Sequence, residues 1–469
     1  MTAKWLAALL ALSSAQQAHS KQPTTAIADD AAARRWISAA GHRFNPSAVA
    51  DADLRGIVER LNGAKVIGIG EATHGTHQDQ AFKAELIKAL VRSGAIDAVA
   101  VECNRAAGYG FDRYVVTGEG DPAALIRSPS FFSIWRNDAF AGLLLWLRAW
   151  NQTSQKPIRI YGIDVQESGD DADFALKTLA RYSPVDADVL RRRLAPILPA
   201  DGGRAPFLPD WVKNADAATI KRLLDAATGL EHELTSKTAN GKNDEQVAEA
   251  VYAARAARQG LYAFEFDYAG ADQKTIPIEY WGRRDRDMAS NLLSRLGSGR
   301  AALWAQNSHI VWASPGWEDK GHVTTGVVLR RELKHDYRAV GFTWSRAVVR
   351  AVALPRKSPS PARGERVFSD SPARNDRPGD LGSVFSPLTG DGIWLDVSAR
   401  PRTQALDRWA KRPVYWGLIG WRFDPNDFQT GGDPDLPPGT GYDVIVWHRR
   451  MSPARTWPDA LPKETDSPQ

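Results

Sequence analysis

The chain has 469 residues, 43% of them hydrophobic and 25% charged, which suits a globular protein long enough to bury a full core. A formal net charge of +5, with 60 Lys and Arg spread among 55 Asp and Glu, excludes a dedicated nucleic-acid surface. The single cysteine, Cys103, excludes an internal disulfide, and 17 Trp supply core packing with some available to line a cleft.

Residues 1–20 read as an export signal. Lys4 gives a positive start, Trp5 to Leu12 is apolar but too short to span a bilayer, and small residues offer cleavage after Ala15 or Ser20. No later run is long and apolar enough for a membrane helix. The mature chain from residue 21 is therefore expected outside the cytoplasm, periplasmic or secreted.

Val66 to Gly70 predicts a short buried strand, and Gln78 to Arg92 an amphipathic helix. Between them the run Gly70-Glu71-Ala72-Thr73-His74-Gly75-Thr76-His77 forms a tight turn with one carboxylate and two imidazoles. Ala98 to Val101 predicts a second strand, ending at Glu102, and Ala139 to Trp150 a helix. Ile158 to Ile163 predicts a third strand, ending at Asp164. Residues of about 167–298 then read as an inserted helical lobe, with apolar periodicity over Phe174 to Ala180, Ala218 to Leu234 and Asp244 to Phe264. Ala301 to Ala305 is a fourth strand, followed by Gln306-Asn307-Ser308-His309. Tyr337 to Trp344 and Val348 to Leu354 suggest a hairpin, and residues 355–382, rich in Pro, Ser, Arg and Gly, an exposed flexible loop. Ile393 to Val397 and Tyr442 to Trp447 read as late strands, and 459–469 as a disordered tail.

Strand and helix in alternation imply an α/β fold: a mostly parallel central sheet flanked by helices, with the inserted lobe forming a cleft. Parallel neighbours end on the same side, so Glu71, His74, Glu102, Asp164 and His309 are expected to gather along one rim, where open α/β sheets carry their chemistry.

Glu71-x-x-His74 is the strongest local signal. A carboxylate three residues from an imidazole can fix its tautomer and raise its basicity; it can also be a helix-end carboxylate beside a satisfied turn histidine. His77, on the first helical turn, either lines the site or faces solvent. Glu102, a charge ending an apolar strand, needs a partner, which Arg105 would also supply. His309 stands in the same relation to its strand, and with His74 makes a second proton-transfer group or an oxyanion donor. Lys83, nine residues beyond His74, reads on spacing as a solvated helix lysine. Arg284, Asp285 and Asn291 open the helix before the His309 strand and offer ligands or inter-lobe pairs. There is no Gly-x-Ser-x-Gly elbow, no Walker A sequence, and no third glycine after Gly68-x-Gly70. A metal around His74, His77, Glu71 and His309 is conceivable, but His-x-x-His without an intervening Glu lacks the zinc-protease arrangement, so no metal or cofactor is expected.

These elements resemble the erythromycin esterase family. The turn at Gly70 to His77 is similar to its Gly-Glu-x-x-His-Gly signature, Tyr161-Gly162-Ile163-Asp164-Val165-Gln166 to its Gly-x-Asp-x-Gln element, and Trp304-Ala305-Gln306-Asn307-Ser308-His309 to Trp-Ala-His-Asn-x-His. Ala98 to Glu102 and Arg284 to Asn291 resemble its second strand and the helix before its last core strand. The resemblance implies a hydrolase that opens an ester or macrolide-like lactone. His74 would be the general base and Glu71 its partner, with Glu102, His309 and Lys83 nearby. His77, Asp164, Gln306 and Arg284 would meet the substrate. Gln306 stands where the family often has histidine, and Gln78 where it often has glutamate. Two other readings remain: a metal-assisted peptide or ester hydrolase, and an envelope protein that binds a small ligand without turning it over.

Overall fold

The computed structural model describes residues 24–200, 205, 215–238, 244–262, 278–319, 321–354, 367–424 and 436–456. The expected signal segment, the 459–469 tail and positions 355–366 of the expected loop lie outside them.

Among the described residues ten strands form one sheet: β1 (His42–Phe44), β2 (Val66–Ile69), β3 (Ala98–Asn104), β4 (Arg159–Asp164), β5 (Ala301–Trp304), β6 (Tyr337–Ala353), β7 (Phe368–Arg374), β8 (Gly392–Asp396), β9 (Arg422–Phe423) and β10 (Val444–Met451). The spatial order is β1-β8-β10-β6-β2-β5-β3-β4, with β7 and β9 added to β6. β10, β6, β2, β5, β3 and β4 run parallel, each to the next. β8 enters antiparallel, between β1 and β10. The four strands read from short apolar runs are thus neighbours, in the order β2-β5-β3-β4. Their residues are almost wholly buried, which is why they read as continuous apolar runs rather than alternating ones.

Two expectations need correction. The segments read as a hairpin are one strand, β6, 17 residues long. Its first half lies between β2 and β10, and its second half pairs with β7. The polar break at Ser345-Arg346 marks that change of partners, not a turn. Within the stretch read as a loop, β7 pairs antiparallel with β6. Its Ser, Asp and Arg side chains alternate mostly outward at the sheet edge, so it carries no apolar signal.

Helices His77–Arg92, Arg105–Thr117 and Asp138–Thr153 cover the sheet and join its large core. Between β4 and β5 the described residues include the helices Gly169–Leu179, Pro184–Leu194, Ala217–Thr238 and Glu245–Leu261, packed around a second core of residues such as Leu176, Leu179, Leu230 and Ala253. Buried Arg105, at the end of β3, ties the two bodies together: Nε donates to Asp171 Oδ1 (2.6 Å) and Nη1 to Glu249 Oε1 (2.8 Å). The helix Ile278–Leu296 then returns to pack on β3 and β4 before the chain enters β5. Among the described residues no helix is long and apolar enough to cross a membrane.

Candidate active site

The turn after β2 is fixed by its backbone. Gly70 N–H donates to Val340 O (3.0 Å), Ile419 N–H to Ala72 O (2.8 Å), and Arg350 and Ala454 N–H both to Gly75 O (3.0 and 2.9 Å). Two glycines make this possible. A Cβ on Gly75 would stand 1.8 Å from the Arg350 carbonyl oxygen, and one on Gly70 would stand 2.1 Å from Asn307 Oδ1. The Asn307 amide in turn bridges to β6, donating to Phe342 O (2.7 Å) and accepting from Phe342 N–H (3.1 Å). The first glycines of the signature are therefore space for neighbouring chain, and no phosphate is implied.

His74 is held by Glu71. Its Nδ1 lies 2.9 Å from Glu71 Oε1, and its ring meets Trp135 edge-on at 4.8 Å. Burial, opposed by Glu102 and assisted by His309 and Arg284, lowers the His74 pKa to about 4. The ring is therefore neutral at physiological pH. With Nδ1–H given to the Glu71 carboxylate, Nε2 carries the lone pair.

Lys83 overturns the reading from spacing. It is fully buried, not solvated. Its Nζ donates to Glu71 Oε2 and to Ala305 O (3.1 Å) and lies over the Trp304 and Trp135 rings. Burial pushes its pKa well down, against the pull of Glu102. Through these contacts Lys83 holds the Glu71 carboxylate in place.

The second half of the site centres on Arg284. Nε and Nη2 form a two-pronged pair with Asp164 (2.7 and 2.6 Å), and Nη2 also donates to Glu102 Oε1 (3.0 Å). The other Glu102 oxygen accepts Gln306 N–H (2.9 Å). His309 lies between Glu102 Oε1, 3.2 Å from Nε2, and Asp285 Oδ1, 2.8 Å from Nδ1. Burial alone would discharge His309, but Asp285 and Glu102 prevail over it and over Arg284, and its pKa rises to about 10. His309 is then an imidazolium. Its 3.2 Å approach to Arg284 Nη1 is a contact of two donors, and both ring N–H groups point to carboxylates. The same cations hold Glu102 far below the usual carboxylate range despite its burial. A register shift in β3 between Val101 and Asn104, against β4, falls at Glu102 and is the kind of irregularity that re-aims a side chain.

Asp285 is the residue the sequence signalled only as one of several polar helix positions. Oδ1 accepts from His309, Thr325 N–H (2.8 Å) and Thr325 Oγ1 (2.7 Å), while Oδ2 lies 3.0 Å from His322 Nε2. His322, stacked on Trp317, carried no sequence signal at all.

The remaining expectations fall differently. Gln306 donates from Nε2 to Ile419 O (3.1 Å) and accepts from Ser308 Oγ (2.8 Å), so its amide holds the rim segment. His77 faces Asp138, with Nδ1 3.5 Å from Oδ1. Gln78 is spent on Ser452, accepting its N–H (2.8 Å) and donating to its hydroxyl (3.1 Å). Among the described residues no three His, Cys, Asp or Glu side chains are set to hold a metal ion. The carboxylates that a cation would need are already paired, Glu71 with Lys83, and Glu102 and Asp164 with Arg284, whose charge would repel it.

The profile of the erythromycin esterase family matches residues 95–451. The chain belongs to that family. The matched span contains Glu102, Asp164, Arg284, Gln306 and His309, and the Glu71–His77 turn precedes it. Among solved structures that share the erythromycin esterase-like fold is a Bacillus cereus protein, at TM-score 0.75 and 17% identity, covering 91% of this chain and 99% of that one. Another is a succinoglycan biosynthesis protein, at 0.71 and 16%, covering 90% and 97%. A third is the erythromycin esterase EreC, a mutant in its open conformation, at 0.66 and 18%, covering 90% and 99%. Membership of the erythromycin esterase family points to a hydrolase.

Proposed function

We propose that the protein hydrolyses an ester or lactone with a water activated by His74 and without a covalent intermediate. The observation that carries this is the buried His74 imidazole held by Glu71 at 2.9 Å, its pKa lowered by burial and by the nearby His309 and Arg284. His74 Nε2 takes a proton from water, and the hydroxide oxygen bonds to the acyl carbon. The oxyanion forms facing Arg284 and His309. As the acyl–oxygen bond breaks, the His309 Nε2 proton, until then donated to Glu102, transfers from the imidazolium to the departing alkoxide. The proton on His74 then restores His309 through solvent, and the net change is one water added. The family and the EreC likeness make macrolide lactones the first substrates to try, with simpler esters beside them.

The test is a mass-spectrometric screen of macrolides and simple esters for a one-water gain, repeated after dialysis against chelator. No gain on any substrate would remove the proposal. Loss on chelation with rescue by one divalent ion would replace it with metal-assisted hydrolysis.

The pH profile is a separate expectation. Because His74 is neutral above about 4 and cationic below it, kcat/KM should fall as pH drops through about 4. An acid limb at the ordinary histidine value of about 6.5 would show that His74 is not the base as described.

We further propose that the protein is exported, on the pattern of Lys4, Trp5 to Leu12 and Ala15. N-terminal sequencing from an expressing bacterium should start near Gln16 or Lys21. An intact Met1 in the soluble cytoplasm would refute it.

A further inference from the structure

Beneath the Glu71–His74 turn lies a pair of titratable side chains that the hydrolytic mechanism does not use. Asp79, on the first turn of the helix His77–Arg92, is fully buried, and so is His448 of β10. Asp79 Oδ2 accepts the Ala72 N–H (3.0 Å), and the Thr73 amide and Thr76 hydroxyl also stabilise its charge. This one carboxylate therefore gathers the donors of the turn that presents His74. Its other oxygen has no hydrogen bond and lies 3.5 Å from His448 Nε2. Neither nitrogen of His448 has a hydrogen bond, and its ring is enclosed by Phe44, Phe82 and Phe342.

Three unpartnered polar atoms in one apolar pocket are costly unless they satisfy each other. We propose that Asp79 and His448 share a proton, and that Asp79 is the positioning residue that sets the turn bearing Glu71 and His74. In the more acid form the Asp79 carboxyl proton on Oδ1 is donated to His448 Nε2, and His448 keeps its own proton on Nδ1. As pH rises the carboxyl proton leaves for solvent, and the remaining imidazole proton moves from Nδ1 to Nε2 to face the carboxylate. The pair loses one proton and passes from neutral to a single negative charge. Through both forms Oδ2 accepts Ala72 N–H, more strongly when ionised.

The surroundings place that change in a useful range. Burial raises the Asp79 pKa to about 7, against the hydrogen bonds of Ala72, Thr73 and Thr76, and burial lowers His448 to about 3. His448 is the titratable group facing Asp79 from β10. On Asp79's own helix, His77 turns to Asp138 and Lys83 to Glu71. β1 and β6 contribute Phe44 and Phe342 to the pocket.

The experiment is a pH titration of the full chain by NMR with ¹⁵N-labelled histidine rings, which needs no substrate and so is independent of the proposed reaction. His448 should switch from the Nδ1–H to the Nε2–H tautomer near pH 7, and the His74 ring should show a small inflection at the same pH. In Asp79→Asn the amide accepts from Ala72 N–H and donates to His448, so both inflections should vanish. They should persist in His77→Gln. Should Asp79→Asn fail to fold, ¹³C labelling of aspartate carboxyls in the unmodified protein reads the same event, as one buried carboxyl titrating together with the His448 switch. A His448 tautomer that does not change between about pH 5 and 9, or a His74 inflection that survives in Asp79→Asn, overturns the proposal.

Discussion

Replacing His74 with alanine should lower the rate of ester hydrolysis by at least 10² to 10⁴-fold, the range of a lost general base, while leaving the protein folded. The turn does not depend on the imidazole. Its carbonyls and amides are tied to β6, to the Ile419 segment and to Ala454, and the ring itself adds an edge contact with Trp135 and the bond to Glu71, which Lys83 still holds at its other oxygen. Circular dichroism and the thermal midpoint should therefore change little. Glu71→Gln differs in kind: the amide can still meet His74, but Lys83 loses the counter-charge on Oε2. Since burial already drives Lys83 toward its neutral form, it is expected to release its proton rather than unfold the site. Near-native turnover in His74→Ala on a substrate that the native enzyme opens would end the mechanism.

Arg284→Met should be the most destabilising single change in the site. The guanidinium is buried and contacts two buried carboxylates, Asp164 and Glu102, as well as approaching His309. Removing it leaves uncompensated buried charge, which costs about 3–5 kcal/mol. Arg284→Lys restores the charge but not the two-pronged geometry, so it should recover part of the stability and little of the turnover. Urea unfolding followed by far-UV circular dichroism measures the loss. A wild-type midpoint for Arg284→Met would show that the pair with Asp164 contributes nothing.

The rim was legible because parallel strands buried on both faces are short apolar runs, and a polar residue at the end of each must be placed somewhere. β2, β5, β3 and β4 obey that logic, and it brought Glu102, Asp164 and His309 together around Arg284. What stayed hidden depends on partners far along the chain. Lys83 has the spacing of a surface lysine, and only Glu71, Ala305 and the two Trp rings make its burial tolerable. His322 reaches the site through Asp285, 37 positions earlier. β6 looked like two strands because its two halves answer to different neighbours. Edge strand β7 looked like a loop because half its side chains belong to solvent.

The pair between Asp164 and Arg284 joins positions 120 residues apart, at the point where the chain leaves the sheet and the point where it returns. Everything between them is a closed circuit whose two ends are clamped inside the chemistry. Lengthening such a circuit is thermodynamically mild, about 0.6 kcal/mol for each doubling of a flexible loop. With its own core, the segment has the build of a cassette, one whose length can change while the clamp keeps Glu102, Asp164 and His309 in register around Arg284.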